Sequence, residues 1–237
     1  MRDGAKRLFD IFWAGSGLLM LLPWLLVVAV VIRLGDGGPA FFGQERVGRK
    51  GKVFRVWKFR TMVVDAERWG SQLTQAGDHR VTRIGYWLRR FKLDELPQLF
   101  NVLMGEMSLV GPRPEVPRHV DWDAPAWYIV LQVRPGITDL ATLLYRHEEE
   151  LLAASTDPDR YYRETVLPSK LNLSVQYMRN SSFWSDLKVI LLTARYSFFP
   201  TGFRRSYVEQ VFLPQCEHRT QTLGAEKDTG TPEEETA

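Results

Sequence analysis

Residues 89–98 read Arg-Arg-Phe-Lys-Leu-Asp-Glu-Leu-Pro-Gln, so two adjacent carboxylates, Asp94 and Glu95, follow three bases, Arg89, Arg90 and Lys92. A carboxylate among cations can hold a divalent ion or attack an electrophile, and guanidinium groups bind phosphate oxygens through paired hydrogen bonds. An Asp-Glu pair ahead of a helix also complements the helix dipole without doing chemistry. The surroundings favour the chemical reading. One short helix downstream lies the rigid run Gly111-Pro112-Arg113-Pro114, and upstream Lys58 and Arg60 stand two residues apart in a basic, β-prone stretch. The sequence has no CxxC or HExxH pattern and only 4 His, which argues against zinc and leaves oxygen ligands for any metal. A single cysteine, Cys216, excludes an internal disulfide framework and fits a reducing compartment.

The elements that position these groups can be read from periodicity. Residues 39–62 are extended, two β-prone runs around a turn at Gly48-Arg49-Lys50-Gly51, which predicts a small β-hairpin. Alternation places Phe54, Val56, Lys58, Arg60 and Met62 on one face. Residues 65–75 predict a short polar helix, and residues 81–91 a basic amphipathic one carrying Ile84, Leu88 and Phe91 on one side. Pro97 suits the first turn of a helix over 97–107. Beyond an aromatic stretch at 122–128 and a turn at 134–136, residues 157–163 and 170–195 are expected to be helical. The latter has a mixed apolar and basic face that fits either the core or a membrane surface.

Ahead of all this, residues 14–32 are free of charge, enough for a helix of about 28 Å, barely the hydrocarbon thickness of a bilayer. A straight span is the plain reading. Two features favour a helix that enters the bilayer and turns back. Pro23 lies mid-run, where it predicts a break, and both flanks are basic, Arg2, Lys6 and Arg7 before and Arg33, Arg46, Arg49 and Lys50 after. Residues 216–237 hold six acids and two bases, a net of −4 against +3 for the whole, so residues 1–215 carry +7. A basic body suits anionic lipid, phosphate or nucleic acid, while the acidic tail is expected to be disordered. No nucleic-acid-binding motif is present, and such a role leaves the apolar run unexplained. The chain therefore divides into an anchor at 1–38, a catalytic domain at 39–215 and a tail at 216–237.

Taken in order, PAFFGQERVG, GKVFRVWKFRTM, DHRVTRIGYWLRRFKLDELPQLFNVLMGEMSLVGPRPE and RPGIT resemble the bacterial sugar transferases known as small monotopic phosphoglycosyl transferases. The resemblance runs from Lys6-Arg7-Leu8-Phe9-Asp10 to about Arg195. It implies a helix-rich α+β fold, with a re-entrant membrane helix, a β-hairpin and amphipathic interfacial helices around the active site, on the cytoplasmic face of the bacterial inner membrane. It also implies transfer of a sugar-1-phosphate from a UDP-sugar to polyprenyl (undecaprenyl) phosphate, an early step in exopolysaccharide or lipopolysaccharide assembly. Asp94 would form a covalent phosphosugar intermediate and release UMP. Mg²⁺ would lie at Asp94 and Glu95, and Glu95 would orient the metal or the nucleophile, or take up a proton. Arg89 and Arg113 match the phosphate ligands, with Lys58 and then Arg60 as further substrate-binding candidates. Two departures stand out: Leu22-Pro23 where relatives often have Ser-Pro, and Asp139 after Thr138 where many have Gly and an aromatic.

Overall fold

The computed structural model describes residues 3–69 and 73–212. Arg2, Cys216 and the expected acidic tail lie outside them. Helix α1 runs from Asp3 to Asp36, about 51 Å of helix, and contains Pro23 without interruption. The break expected at Pro23 is therefore absent from the secondary structure. Leu18 and Leu25, on either side of the proline, are buried in one cluster with Ile32, Phe59 and Leu88, so both halves of the helix pack on the same body. Each such side chain contributes about 2 kcal/mol on burial.

Both ends of α1 are fastened to the same body. Near its start, Lys6 pairs with Asp186 at 2.7 Å, and Arg7 donates to the carbonyls of Val102 and Leu103 at 2.6 and 2.9 Å. Asp10, almost fully buried, accepts from the Ser108 hydroxyl at 2.8 Å and the Leu109 amide at 3.1 Å. At its end, Asp36 receives a two-pronged ion pair from Arg60. Between these ties the outer face is bare and apolar, with Leu19, Met20, Trp24 and Leu34 each 70% exposed or more. Among the described residues, α1 is the one helix long and apolar enough to cross a membrane.

The hairpin forms as predicted. Strands β1 (Phe41–Val47) and β2 (Val53–Phe59) pair antiparallel, Phe41 opposite Phe59 and Phe42 opposite Lys58, around a turn at Arg49–Gly51. β2 ends at Phe59, so Arg60 and Met62 fall beyond it. Of the helix predicted over 65–75, Ala66–Trp69 form a 3₁₀ turn, Asp65 adopts a left-handed φ of 57° and residues 73–75 are not helical, while residues 70–72 lie outside the described residues.

Helix α2 (Arg83–Arg90) is capped by Thr82, whose hydroxyl accepts from the Gly85 amide, and α3 (Gln98–Met104) ends on Gly105 at φ 86°, a conformation glycine adopts freely. Strands β3 (Ser108–Val110) and β4 (Gly136–Thr138) form a short parallel pair that the sequence pattern did not announce. Then follow α4 (Pro125–Val130), α5 (Leu140–Leu144), α6 (Glu148–Ala153) and α7 (Pro158–Tyr161). A π-helical turn at Tyr162–Val166 leads from α7 into α8 (Leu167–Asn180). The helix expected over 170–195 is two helices, α8 and α9 (Phe183–Phe198). They are separated by Ser181-Ser182, where Ser182 and Ser185 form a reciprocal capping box. One apolar core lies between α4, α8 and the end of β1, and a second between α5, α8 and α9. The hairpin and α2 close the remaining side against α1.

Candidate active site

The two carboxylates sit in the joint between α2 and α3. After α2 the chain reverses at Lys92, held in the left-handed region at φ 56°, and a 3₁₀ turn at Leu93–Glu95 then presents Asp94 and Glu95, both buried. A non-glycine residue there is uncommon and costs on the order of 1 kcal/mol. Their neighbours come from distant segments. Arg113, from the loop after β3, grips both oxygens of Glu95, with 3.2 Å to Oε2. Lys58, from β2, reaches Glu95 Oε1 at 3.3 Å.

Adjacent in sequence, the two acids are tuned in opposite directions. Burial raises the Asp94 pKa, and the Glu95 charge raises it further against opposing pulls from Lys58, Lys92 and Arg89. Glu95 suffers the same burial, yet Arg113 and Lys58 together hold its carboxyl well below the usual range. Burial also lowers the Lys58 pKa, while Glu95 opposes that fall. Glu95 is thus a committed carboxylate with its oxygens engaged. Asp94 Oδ1 is buried with no hydrogen-bond partner.

An unspent buried oxygen of this kind is what a metal or an electrophile would complete. For Mg²⁺ the fit is to Asp94 alone in this arrangement, since Glu95 is held by cations. Among the described residues no group of three or more acid, His or Cys side chains could form a cage. One carboxylate with substrate phosphates is a common donor set for magnesium.

The predicted phosphate ligands divide. Lys58 and Arg113 meet at the dyad. Arg89 bears on Asp94 through its charge, but its guanidinium is held by the Thr61 hydroxyl at 2.9 Å and by Glu149 at 3.2 Å. Arg60 lines the same cavity, yet its donors go to Asp36 and to the Pro39 carbonyl, a structural ion pair at the end of α1. Lys58 and Arg60 therefore do not serve one site, because β2 ends between them. Arg90 lies over the Trp87 ring at 5.4 Å. Asp139 is buried and structural, capping α5 through the Thr142 amide and accepting from Ser174 at 2.6 Å.

The dyad opens into a cavity of about 950 Å³ with two characters. Part of its lining is apolar, Leu21 of α1, Phe41, Phe59, Leu96, Leu99 and Phe198. Another part is a charge network that the sequence pattern did not announce. Glu115, next to the Pro-Arg-Pro run, accepts from the Tyr162 hydroxyl at 2.6 Å and from Arg46 at 3.4 Å. Lys170 lies 3.9 Å from Glu115 and donates to Glu148 at 2.8 Å, while His119 Nδ1, at 3.8 Å from Glu115, is too far for a hydrogen bond. Against the cost of burial, Lys170, Arg46 and the Tyr162 hydroxyl hold the Glu115 carboxyl below the usual range. Arg146 also lines the cavity, and its charge interacts with Glu95. The sequence signal for this network is slight: Lys170 in a helical pattern, with acids at the Pro-Arg-Pro-Glu and Glu148–Glu150 positions.

The family model described as Bacterial sugar transferase matches residues 1–200. The chain belongs to the bacterial sugar transferase family. It is 39% identical over 193 residues to a UDP-N-acetylgalactosamine-undecaprenyl-phosphate N-acetylgalactosaminephosphotransferase of Aeromonas hydrophila, covering 80% of this chain and 43% of that protein. It is 40% identical to an undecaprenyl-phosphate glucose phosphotransferase of Komagataeibacter xylinus, covering 82% of this chain and 36% of that protein. A UDP-glucose:undecaprenyl-phosphate glucose-1-phosphate transferase of Caulobacter vibrioides is 38% identical, with 81% and 68% covered. The chain thus spans less than half the length of the first two relatives. The matched region includes every residue of the dyad and of the charge network described above.

Proposed function

We propose that the protein is a phosphoglycosyl transferase that moves a sugar-1-phosphate from a UDP-sugar to undecaprenyl phosphate, as the relatives' names describe for those proteins. The observation that carries the reading is the unpartnered, buried Asp94 oxygen beside a Glu95 already neutralised by Arg113 and Lys58. An ionised Asp94 attacks the β-phosphorus of the donor. An aspartyl–phosphorus bond forms, the bond from that phosphorus to the bridging oxygen breaks, and UMP departs with the bridging oxygen and its electron pair. A phosphate oxygen of the lipid then attacks the same phosphorus and displaces Asp94, which regains its carboxylate. Arg113, Lys58 and Arg146 supply positive charge where the equatorial oxygens gather it. Mg²⁺ would be held by Asp94 with the donor's pyrophosphate, adding charge neutralisation there.

The apolar lining of the cavity, to which α1 and α9 contribute Leu21 and Phe198, suits the polyprenyl chain, and the charged lining suits the nucleotide sugar. We place α1 in one leaflet, with both ends on the cytoplasmic face. A span would carry one end across the bilayer, whereas Lys6, Asp10 and Asp36 all bond to one folded body. Exposed Tyr86 and Trp87 on α2, and Trp184 and Phe198 on α9, are suited to the headgroup level. Intact-mass analysis of the protein incubated with its UDP-sugar, without lipid, tests the covalent step. A gain of one sugar phosphate is expected, absent in Asp94→Asn. An adduct that survives in Asp94→Asn would move the nucleophile elsewhere, and no UMP release from any UDP-sugar would end the reading.

A further inference from the structure

We propose that Glu148 is the residue through which the cavity reads the sugar ring of the donor. The inference rests on the donor reading above and deepens it. Glu148 opens α6, lines the cavity of the dyad, and is the most accessible acid of the charge network, its side chain 24% exposed against 7% for Glu115. One of its oxygens is committed to Lys170, which is itself buried and braced near Glu115, so the carboxylate is held in place and not left to swing. It lines the same cavity as Asp94 and Arg113, and its charge acts on that of Arg113.

A carboxylate in that place repels phosphate and accepts hydrogen bonds from neutral donors. In a UDP-sugar, the neutral group bonded directly to the transferred phosphate is the sugar. The uridine lies beyond a second phosphate that Glu148 disfavours. Ring hydroxyls, or the N–H of an acetamido group, are the donors that match it. A pocket built to accept such a bond discriminates strongly against a sugar that lacks it or turns it away.

The test uses the full chain in detergent with Glu148→Gln and Glu148→Asp. It measures UMP release from UDP-glucose, UDP-galactose, UDP-N-acetylglucosamine and UDP-N-acetylgalactosamine, alongside inhibition by UMP alone. Glu148→Gln should change the ratio of kcat/KM between the best and second-best donors by about tenfold, chiefly through KM. Glu148→Asp should change it less, and inhibition by UMP should stay as in the parent. An equal fall for every donor, or a parallel loss of UMP inhibition, would overturn the inference while leaving the transferase reading intact. A parent protein that releases no UMP from any donor overturns both.

Discussion

Asp94 and Glu95 share a backbone turn and a burial, yet only Glu95 has cations on it. With Glu95 fixed as an anion, Asp94 ionises against both desolvation and a neighbouring negative charge. Since the ionised form attacks, activity is present above the raised Asp94 pKa and is lost as pH falls through it. The acid limb of kcat/KM should therefore lie above that of an ordinary aspartate. Glu95→Gln removes the repelling charge and frees Lys58 and Arg113 to act on Asp94. The limb should then move to lower pH, while the rate at neutral pH falls about a hundredfold from lost positioning. A limb that stays in place would mean another group sets it. The dyad, Arg113 and Lys58 were legible because they lie in compact local patterns. Glu115, Glu148, Arg146 and Lys170 were not, since each is an ordinary charged residue until β1, α6 and α8 bring it to the same wall.

At the level of elements, the position of Arg113 depends on a tight crossing. Gly111, at the head of the Pro-Arg-Pro loop, meets Gly136 of β4 so closely that a Cβ on Gly136 would lie 2.1 Å from the Gly111 nitrogen. Backbone on both sides leaves no flexible atom to give way. Gly136→Ala should destabilise the protein by about 3 kcal/mol or more, or prevent folding, and thermal unfolding in detergent reads this directly. Gly202→Ala, with no atom within 4 Å of the added carbon, is the control and should leave the unfolding temperature unchanged. The hairpin, α2 and α3 were visible from alternation, capping residues and the 3.6-residue period. The β3–β4 pair was hidden because three-residue strands carry too little pattern. The α8–α9 boundary was signalled by Ser181-Ser182, whose capping role stands out only once the fold separates the helices.

For the molecule as a whole, the topology turns on α1. A cysteine at Gly4 and another at Lys50, each in a Cys216→Ser background, should react with an impermeant thiol reagent from the same side of sealed vesicles. Labelling from opposite sides would make α1 a span. The apolar run was plain in the sequence, but its attachment was not. No local pattern ties Asp10 or Asp36 to distant residues, and only the folded chain shows them bonded to Ser108, Leu109 and Arg60.

The packing of Leu18, Leu25 and Ile32 against Phe59 and Leu88 also bears on the order in which the protein is made. Helix α1 is translated before Phe59 and Leu88, the side chains that cover its inner face. Until they arrive, that face and the bare outer one are both without these partners. With α1 in one leaflet, as proposed above, the bilayer would serve as a holding medium for a piece of core, and the rest of the chain would assemble on a template already seated in lipid.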